Sequence, residues 1–348
     1  MVCTIRAGRA GTDGSGSSGS CSPDADAMKI IGLLPVKNEA WVLPHALRSL
    51  TAFCDVVIVA DQNSDDGSRE ICRTFPNVVV VESAESRTCT RARWQLLDAA
   101  RGYDGCNLLW STDADELVSP PAAKRFLDQR RAELTPGTVV ECRYVHLWGG
   151  FDRYRVFSVN YAPRWKALAF VDDRRMDWNR ANLLSLHEPR VPIDGASATI
   201  QADVAVLHLQ WLLPNRTQSR QAWYRCREWL DGRDAAGINE RYQGTLPAPR
   251  ARTAPAPAEW LRDLTFPDLS VDREESWTDR DLLRWFAERT PQHFEPLEIW
   301  HVARLREEFV RAAGRRPRPD RSYRPAWPAR AQSVERRIAA GARRRLGF

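Results

Sequence analysis

The sequence predicts an α/β fold in which helices cover both faces of a mostly parallel sheet. Between residues 29 and 112, runs of mostly apolar residues alternate with amphipathic segments. Such runs are expected of strands that are buried on both faces, and strands alternating with helices indicate right-handed βαβ units. Most of the runs also end in clusters of polar residues, which is where sheets of this class bind ligands. These observations predict both the fold and the edge of the sheet that carries the site.

The predicted elements follow one another in chain order. Short Val-, Ile- and Leu-rich runs define the strands, and apolar residues at helical spacing define the helices between them. The predicted strands are 29–34, 55–60, 77–82 and 107–112, and the predicted helices are 41–50, a segment reaching about residue 73, and 90–100. Later, weaker alternation at 139–148 and 164–170 predicts a mixed, partly antiparallel half of the sheet. Amphipathic patterns at 217–230, 279–287 and 297–310 predict a C-terminal helical region.

Polar residues follow three of the predicted strands. Asn38 and Glu39 follow the first strand, residues 61–68 follow the second, and Asp113-Ala114-Asp115-Glu116 follows the fourth. Because the carboxyl ends of parallel strands meet at one edge of a sheet, these clusters should converge. Two carboxylates one residue apart repel each other unless a cation lies between them, and hard oxygen ligands suit Mg²⁺ or Mn²⁺. An isolated Asp-x-Asp turn is more often a solvated acidic loop, but the strand before it and the matching clusters upstream favour a metal site here.

The sequence resembles the family 2 glycosyltransferases, which have the Rossmann-like GT-A fold, at residues 36–39, 57–68 and 112–116. The resemblance implies that Asp113 and Asp115 bind a divalent metal, Mn²⁺ or Mg²⁺, which bridges the diphosphate of a nucleotide-sugar donor. The family's loop has a second Asp where this sequence has Gln62, so the nucleotide base stays undefined. The donor-binding residues that the resemblance implies, with Asp113, are Pro35, Val36, Asn38, Glu39 and Asp61.

Two arginines and a histidine are further candidates for the donor side. Arg91 lies in the first turn of the predicted helix 90–100, and we predict that it, rather than Arg93, contacts the donor, since guanidinium groups match phosphate oxygens. The segments at His187-Glu188 and at His208 are similar to a bacterial subgroup of these transferases, the lipopolysaccharide-core type. This similarity implies that His208 is the third metal ligand. The alternative for His208 is a hydrogen-bonded histidine in the core.

The predicted catalytic residues are Glu188 and Asp115. Family analogy implies an inverting reaction, in which a carboxylate deprotonates the acceptor hydroxyl during in-line displacement. Glu188 is predicted for this role over Glu116 because its distance in sequence from the donor residues suits the acceptor side. The alternative for Glu188 is an ion pair with a neighbouring arginine such as Arg190.

The expected function is metal-dependent transfer of a sugar from a nucleotide-sugar to a saccharide, lipid-linked or small-molecule acceptor. One alternative is a nucleotidyltransferase of related fold, but residues 35–39 lack the Gly-rich loop with Arg or Lys that such enzymes carry after the first strand. Another alternative is a non-catalytic carbohydrate-binding protein, which the 14 tryptophans would suit. Both carboxylates of the Asp-x-Asp turn are present, which favours an enzyme.

Composition divides the chain into four predicted parts. These are a disordered segment at 1–27, a GT-A domain at 28–215, a helical region at 216–314 with a Pro/Ala-rich linker near 244–258, and an Arg-rich tail at 315–348. The tail has eleven arginines and two acidic residues, so it accounts for the whole net charge of +6. It is either a solvated end or a segment that binds an anionic membrane surface. Nucleic acid is not an expected partner because no recognition module accompanies the charge.

The cysteines and the hydropathy pattern bear on the compartment. Eight cysteines show no C-x-x-C pair, so we expect mostly buried thiols in a reducing compartment, without disulfides. The sequence has no apolar stretch of the roughly 18–20 residues needed to cross a bilayer. It also shows no apolar core of a signal peptide near the N-terminus. We therefore expect a cytoplasmic protein that can lie at the inner face of the membrane.

Overall fold

The computed structural model describes residues 28–83, 89–157, 161–178, 189–242 and 251–318. The chain forms two compact units. The first comprises residues 1–145, 163–209 and 255–267, and the second comprises residues 146–162, 210–254 and 268–348. The four-part division predicted from composition stays a prediction, and all of its first part and most of its last part lie outside the described residues.

Ten strands and nine α-helices are found in the described part of the chain. The strands are β1 Ile30–Val36, β2 Val56–Asp61, β3 Val78–Glu82, β4 Leu108–Ser111, β5 Glu116–Val118, β6 Thr138–His146, β7 Arg153–Arg155, β8 Arg164–Val171, β9 Ala198–His208 and β10 Thr253–Pro255. The helices are α1 Leu43–Thr51, α2 Ser68–Arg73, α3 Cys89–Ala100, α4 Pro120–Arg130, α5 Pro214–Leu230, α6 Ala235–Arg241, α7 Ala258–Leu261, α8 Trp277–Arg289 and α9 Ala303–Ala313.

The first unit is built on one sheet of eight strands in the order β3-β2-β1-β4-β8-β6-β9-β5. Strands β3, β2, β1 and β4 are parallel, as predicted. Strand β8 runs antiparallel to both β4 and β6, and β5 runs antiparallel to β9. The prediction of an α/β fold with helices on both faces of the sheet is confirmed, and the later strands form the predicted mixed half of the sheet.

Helices cover both faces of this sheet because alternate residues of a strand point to opposite sides. Leu34 of β1 lies in one buried cluster with Leu47 of α1. Its neighbour Leu33 lies in a second buried cluster with Leu97 of α3. The parallel strands are therefore apolar on both faces, and their polar residues lie at the carboxyl ends of the strands and in the loops that follow.

The second unit is mainly helical. Helices α5, α6 and α8 share a buried cluster with the segment before α9, and this cluster includes Phe286, Phe294 and Ile299. Strands β7 and β10 form a separate two-stranded sheet. Strand β10 lies within the predicted linker near 244–258, of which residues 244–250 lie outside the described residues. In the described ranges, no helix is both long and apolar enough to cross a membrane.

The cysteines agree with the prediction at four positions and disagree at one. Cys54, Cys72, Cys142 and Cys226 are buried free thiols. Cys106 is disulfide-bonded, so the expectation of thiols without disulfides was wrong there. Spacing along the sequence could not show this, because the fold decides which cysteines come together.

Candidate active site

The loops that follow β1 and β2 are tied together at the carboxyl edge of the sheet. The Asn38 side chain donates to Asp65 Oδ1 at 2.7 Å and accepts from the Asp65 backbone nitrogen at 2.8 Å. The backbone nitrogens of Asn38 and Glu39 donate to the hydroxyls of Ser64 and Ser68. The two polar clusters predicted to converge here do so.

Asp61 ends β2 and is almost completely buried, with 1 % of its surface exposed. Its carboxylate accepts hydrogen bonds from Arg69 Nε at 2.9 Å and Arg69 Nη2 at 2.7 Å, and from the backbone of Ser64 at 3.2 Å. Pro35 and Val36 lie beside it in the last two positions of β1, and Val36 pairs with Asp61 in register. Both are buried strand residues, so any donor contact from them would come through the backbone at the strand end.

Asp113 lies between two buried arginines. Its Oδ1 accepts from Arg93 Nη2 at 2.6 Å, and its Oδ2 lies 2.6 Å from Arg190 Nη2. Burial would raise the pKa of Asp113, but Arg190 and Arg93 outweigh burial and hold this pKa below its usual value. The carboxyl group predicted to bind metal is therefore ionised and already neutralised by side chains of the protein.

Glu116 lies next to Asp113 and Arg190 and has no exposed surface. Its carboxylate accepts hydrogen bonds from the Tyr144 hydroxyl at 2.5 Å, from the Asp113 backbone nitrogen at 2.9 Å, and from Arg190. Its oxygens are thus held by three donors away from solvent. We conclude that Glu116 holds the Asp-Ala-Asp turn in place and is not suited to be the base.

Lys166 adds a third cationic side chain to this region. Its Nζ lies 4.1 Å from the centre of the Tyr144 ring. Burial, with the charge of Arg190 second, lowers the pKa of Lys166 to about 7, against the opposing charges of Glu116 and Asp113. Burial, with the charge of Glu116 second, raises the pKa of Tyr144 well above its usual range, so its hydroxyl stays protonated and donates.

Asp115 and His208 lie together, as predicted. The Oδ2 of Asp115 is 3.3 Å from Nε2 of His208, which ends β9 opposite Glu116. However, among the residues that the structure describes, no three His, Cys, Asp or Glu side chains are grouped so that they could hold a metal ion. Since Asp113 is engaged by arginines, the predicted set of Asp113, Asp115 and His208 does not fit a divalent cation in this arrangement.

The remaining predicted residues have different outcomes. Arg91 is exposed on α3, whereas Arg93 is buried and contacts Asp113. Glu188 lies outside the described residues, and its predicted role stays a prediction. Neither Tyr144 nor Lys166 is predicted from the sequence, because nothing in their neighbourhoods departs from an ordinary strand pattern. Arg190 is predicted only as an alternative partner of Glu188, although the structure places it between Asp113 and Glu116.

Part of the chain that forms this site matches a known protein family. Residues 33–180 match the model of Glycosyl transferase family 2. All of the loops after β1, β2 and β4 fall within this segment. The match confirms the prediction of a family 2-like glycosyltransferase for this segment. It ends at residue 180, so it reaches neither His208 nor the part of the second unit after residue 162.

Solved structures also show partial similarity. Glucosyl-3-phosphoglycerate synthase from Mycobacterium tuberculosis, in complex with Mn²⁺ and uridine-diphosphate-glucose, is 20% identical, with a TM-score of 0.28 over 34% of this chain and 45% of that chain. GalNAc-T7 with UDP, GalNAc and Mn²⁺ is 12% identical, with a TM-score of 0.36 over 52% of this chain and 44% of that chain. A 4-diphosphocytidyl-2C-methyl-D-erythritol synthase from Anaerococcus prevotii is 12% identical, with a TM-score of 0.33 over 51% of this chain and 89% of that chain. The present chain spans less than half the length of the Mycobacterium synthase.

Proposed function

We propose that this chain transfers a sugar from a nucleotide-sugar donor to a hydroxyl acceptor with inversion. The observation that supports this most strongly is the position of Asn38, Asp61 and Asp113 at the carboxyl ends of three adjacent parallel strands, inside the segment that matches the family. This is the edge at which open α/β sheets bind nucleotides. A nucleotidyltransferase would use the same edge, but the family match favours the transfer of a sugar.

The donor would lie across the tied loops, with its diphosphate near the cationic side chains. Cleavage of the sugar–phosphate bond leaves negative charge on a nucleoside diphosphate, and fixed cationic donors stabilise that charge. Arg93 and Arg190 supply such donors beside Asp113, and Lys166 lies nearby over the Tyr144 ring. Because the two arginines are buried and paired, they need little reorganisation when the charge develops.

An inverting reaction also needs a base for the acceptor hydroxyl. Glu116 is unsuited because its oxygens are buried and bound by three donors. Glu188 remains our proposed base, supported by its sequence position two residues before Arg190, which contacts Asp113. Asp115 remains the second proposed catalytic residue, supported by its contact with His208.

Mn²⁺ or Mg²⁺ remains the proposed cofactor, supported by Asp115 and His208, which lie 3.3 Å apart. Asp113 gives no such support, because Arg93 and Arg190 bind its carboxylate. The proposed acceptor is a saccharide, lipid-linked or small-molecule hydroxyl, as in the lipopolysaccharide-core-type subgroup. The proposed place of action is the cytoplasm at the inner face of the membrane, supported by the charge of the tail.

A donor screen tests this function. Purified protein is incubated with UDP-, GDP- and dTDP-sugars, with Mn²⁺ or with EDTA, and thermal stabilisation and nucleoside diphosphate release are measured. We expect one donor class to stabilise the protein and to be turned over. Asp115→Asn should lower turnover more than tenfold without loss of fold, whereas Asp128→Asn, at an exposed position of α4, should not change it. Absence of stabilisation and turnover with every donor would contradict the proposal.

A further inference from the structure

Arg69 lies between the acidic residues that end two neighbouring strands. Asp61 ends β2 and Glu82 ends β3, and the two residues pair in register. Nη2 of Arg69 is 2.7 Å from Asp61 Oδ2, and its Nη1 is 3.1 Å from Glu82 Oε1. We propose that Arg69 contacts the base of the nucleotide and selects a base with two neighbouring hydrogen-bond acceptors, guanine or cytosine. The inference rests on the proposed function, in which this edge of the sheet binds a nucleotide-sugar.

Asp61 is too deeply buried to contact a base directly. It is 1 % exposed, and its carboxylate accepts hydrogen bonds from Nε and Nη2 of Arg69 and from the backbone of Ser64. The side chain of Arg69, in contrast, is 28 % exposed. A ligand at this edge therefore meets the guanidinium group, and Asp61 acts through Arg69, whose position it fixes.

The strand order places this guanidinium group on the nucleoside side of the site. Strands β2 and β4 flank β1 on opposite sides, so the order reverses between β1 and β4, where open α/β sheets bind ligands. Arg93 and Arg190 supply positive charge for the diphosphate there, beside the turn that follows β4. The end of β2 lies two strands away, which is roughly 10 Å. Strand β8, the other neighbour of β4, is antiparallel and has its carboxyl end at the opposite edge, so the nucleoside extends towards β2.

Arg69 has donors that its ion pairs do not use. A guanidinium group carries five N–H donors. Nε and one N–H of Nη2 bind Asp61, and one N–H of Nη1 binds Glu82. Within the described ranges, one N–H on each terminal nitrogen is thus left without an acceptor. The two terminal nitrogens are neighbours in one plane, so they can donate two parallel hydrogen bonds to a flat ligand.

Such a pair of donors distinguishes the bases. Guanine presents N7 and O6 side by side, and arginine binds this pair of acceptors with two hydrogen bonds. In a free cytosine base, N3 and O2 are neighbouring acceptors as well. In uracil and thymine an N–H group separates the two carbonyls, and in adenine the amino group separates N1 from N7. Arg69 can therefore form both hydrogen bonds with guanine or cytosine, but only one with the other bases.

Calorimetric titration with GDP, CDP, UDP, dTDP and ADP, without any sugar donor, tests the inference. Affinities are measured for the wild type, Arg69→Lys and Arg69→Gln. We expect the wild type to bind GDP or CDP at least about tenfold more tightly than the other three, because a bidentate base contact discriminates to this extent. The tighter ligand of the two identifies the base. Arg69→Lys should lose most of the preference, because a lysine is a point charge without the planar fork.

The control is Arg73→Gln, which removes an exposed arginine that pairs with Glu70 on the same helix. Its order of affinities should equal that of the wild type. Arg69→Gln leaves Asp61 buried without this ionic partner, so circular dichroism checks its fold, and Arg69→Lys decides the question if it does not fold.

The ratio of the affinities separates base recognition from a structural role of Arg69. Partial unfolding lowers all five affinities alike, so a merely structural arginine would leave their ratio unchanged. An unchanged ratio in a folded Arg69 variant, or a wild type that does not prefer GDP or CDP, would overturn the inference and leave the proposed function standing. A wild type that bound none of the five nucleotides would contradict both.

Discussion

Glu116→Gln is the most direct test of the buried network around the Asp-Ala-Asp turn. The substitution keeps the shape of the side chain but removes its charge and replaces one acceptor oxygen by a donating amide. Oε2 accepts from the Asp113 backbone, and Oε1 accepts from Tyr144 and Arg190. Whichever way the new amide turns, its NH₂ group faces at least one buried donor.

The expected loss of stability follows from these contacts. A buried donor left without an acceptor costs about 1–3 kcal/mol. Breaking a buried ion pair costs about 3–5 kcal/mol, but Asp113 still compensates Arg190 here and reduces that term. Together these terms predict that Glu116→Gln lowers the free energy of unfolding by about 2–4 kcal/mol.

Denaturant unfolding followed by fluorescence and circular dichroism measures this quantity. The matched control is Glu133→Gln, which removes the charge from an exposed i,i+3 pair with Arg130 and should change stability little. Tyr144→Phe should cost less in the Glu116→Gln background than in the wild type, because the two side chains share one hydrogen bond. A Glu116→Gln protein within about 0.5 kcal/mol of the wild type would refute the reasoning.

Three further predictions concern the nucleotide edge, a surface ion pair and the tail. Asp61→Asn should weaken nucleotide binding by about 1–3 kcal/mol; unchanged UDP, GDP and dTDP affinities in calorimetry would place the pocket elsewhere. Hydrogen bonds from Arg315 lower the pKa of Glu295 from 4.5 to about 2. The stability that this carboxylate adds is thus complete above pH 4.5 and lost as the pH falls towards 2. Glu295→Gln should cost at most about 1 kcal/mol at pH 7 and nothing below pH 2 in denaturant unfolding. Because Arg315 pairs with Glu295, a deletion of the tail should begin at residue 319. The shortened protein should hydrolyse the donor as the full chain does. It should sediment less with anionic vesicles, and the difference should be larger at low salt than at high salt. Equal sedimentation of both proteins would leave the tail as a solvated end.

The parallel half of the fold could be predicted because its signals are local. Each strand buried on both faces is a continuous apolar run, and the polar residues that follow it mark the ligand edge. The predicted ends of helices were less accurate where buried apolar residues lie outside the helix. The predicted helix 297–310 begins only at residue 303, because Leu297 and Ile299 are buried in the turn that precedes α9.

The cationic side of the candidate site could not be predicted in the same way. Tyr144 and Lys166 come from β6 and β8, which reach the Asp-Ala-Asp turn only through antiparallel pairing of distant segments. Arg190 is 74 residues from Glu116 in sequence. Arg93 was recognised as an alternative to Arg91, but the choice between them depends on which face of α3 is buried. Such contacts depend on tertiary structure, and no local motif encodes them.

The reciprocal hydrogen bonds between Asn38 and Asp65 have a consequence for the affinity of the site. Asn38 has a φ of 54°, a left-handed conformation that Asn tolerates better than most residues. Its side chain fastens the first loop to the second before any ligand arrives. Ordering a loop on binding opposes association, so a loop that is already ordered loses less conformational entropy. The edge of the candidate site is therefore already ordered in the folded protein. Because the conformational entropy of these loops is lost during folding, it does not have to be lost again when a ligand binds.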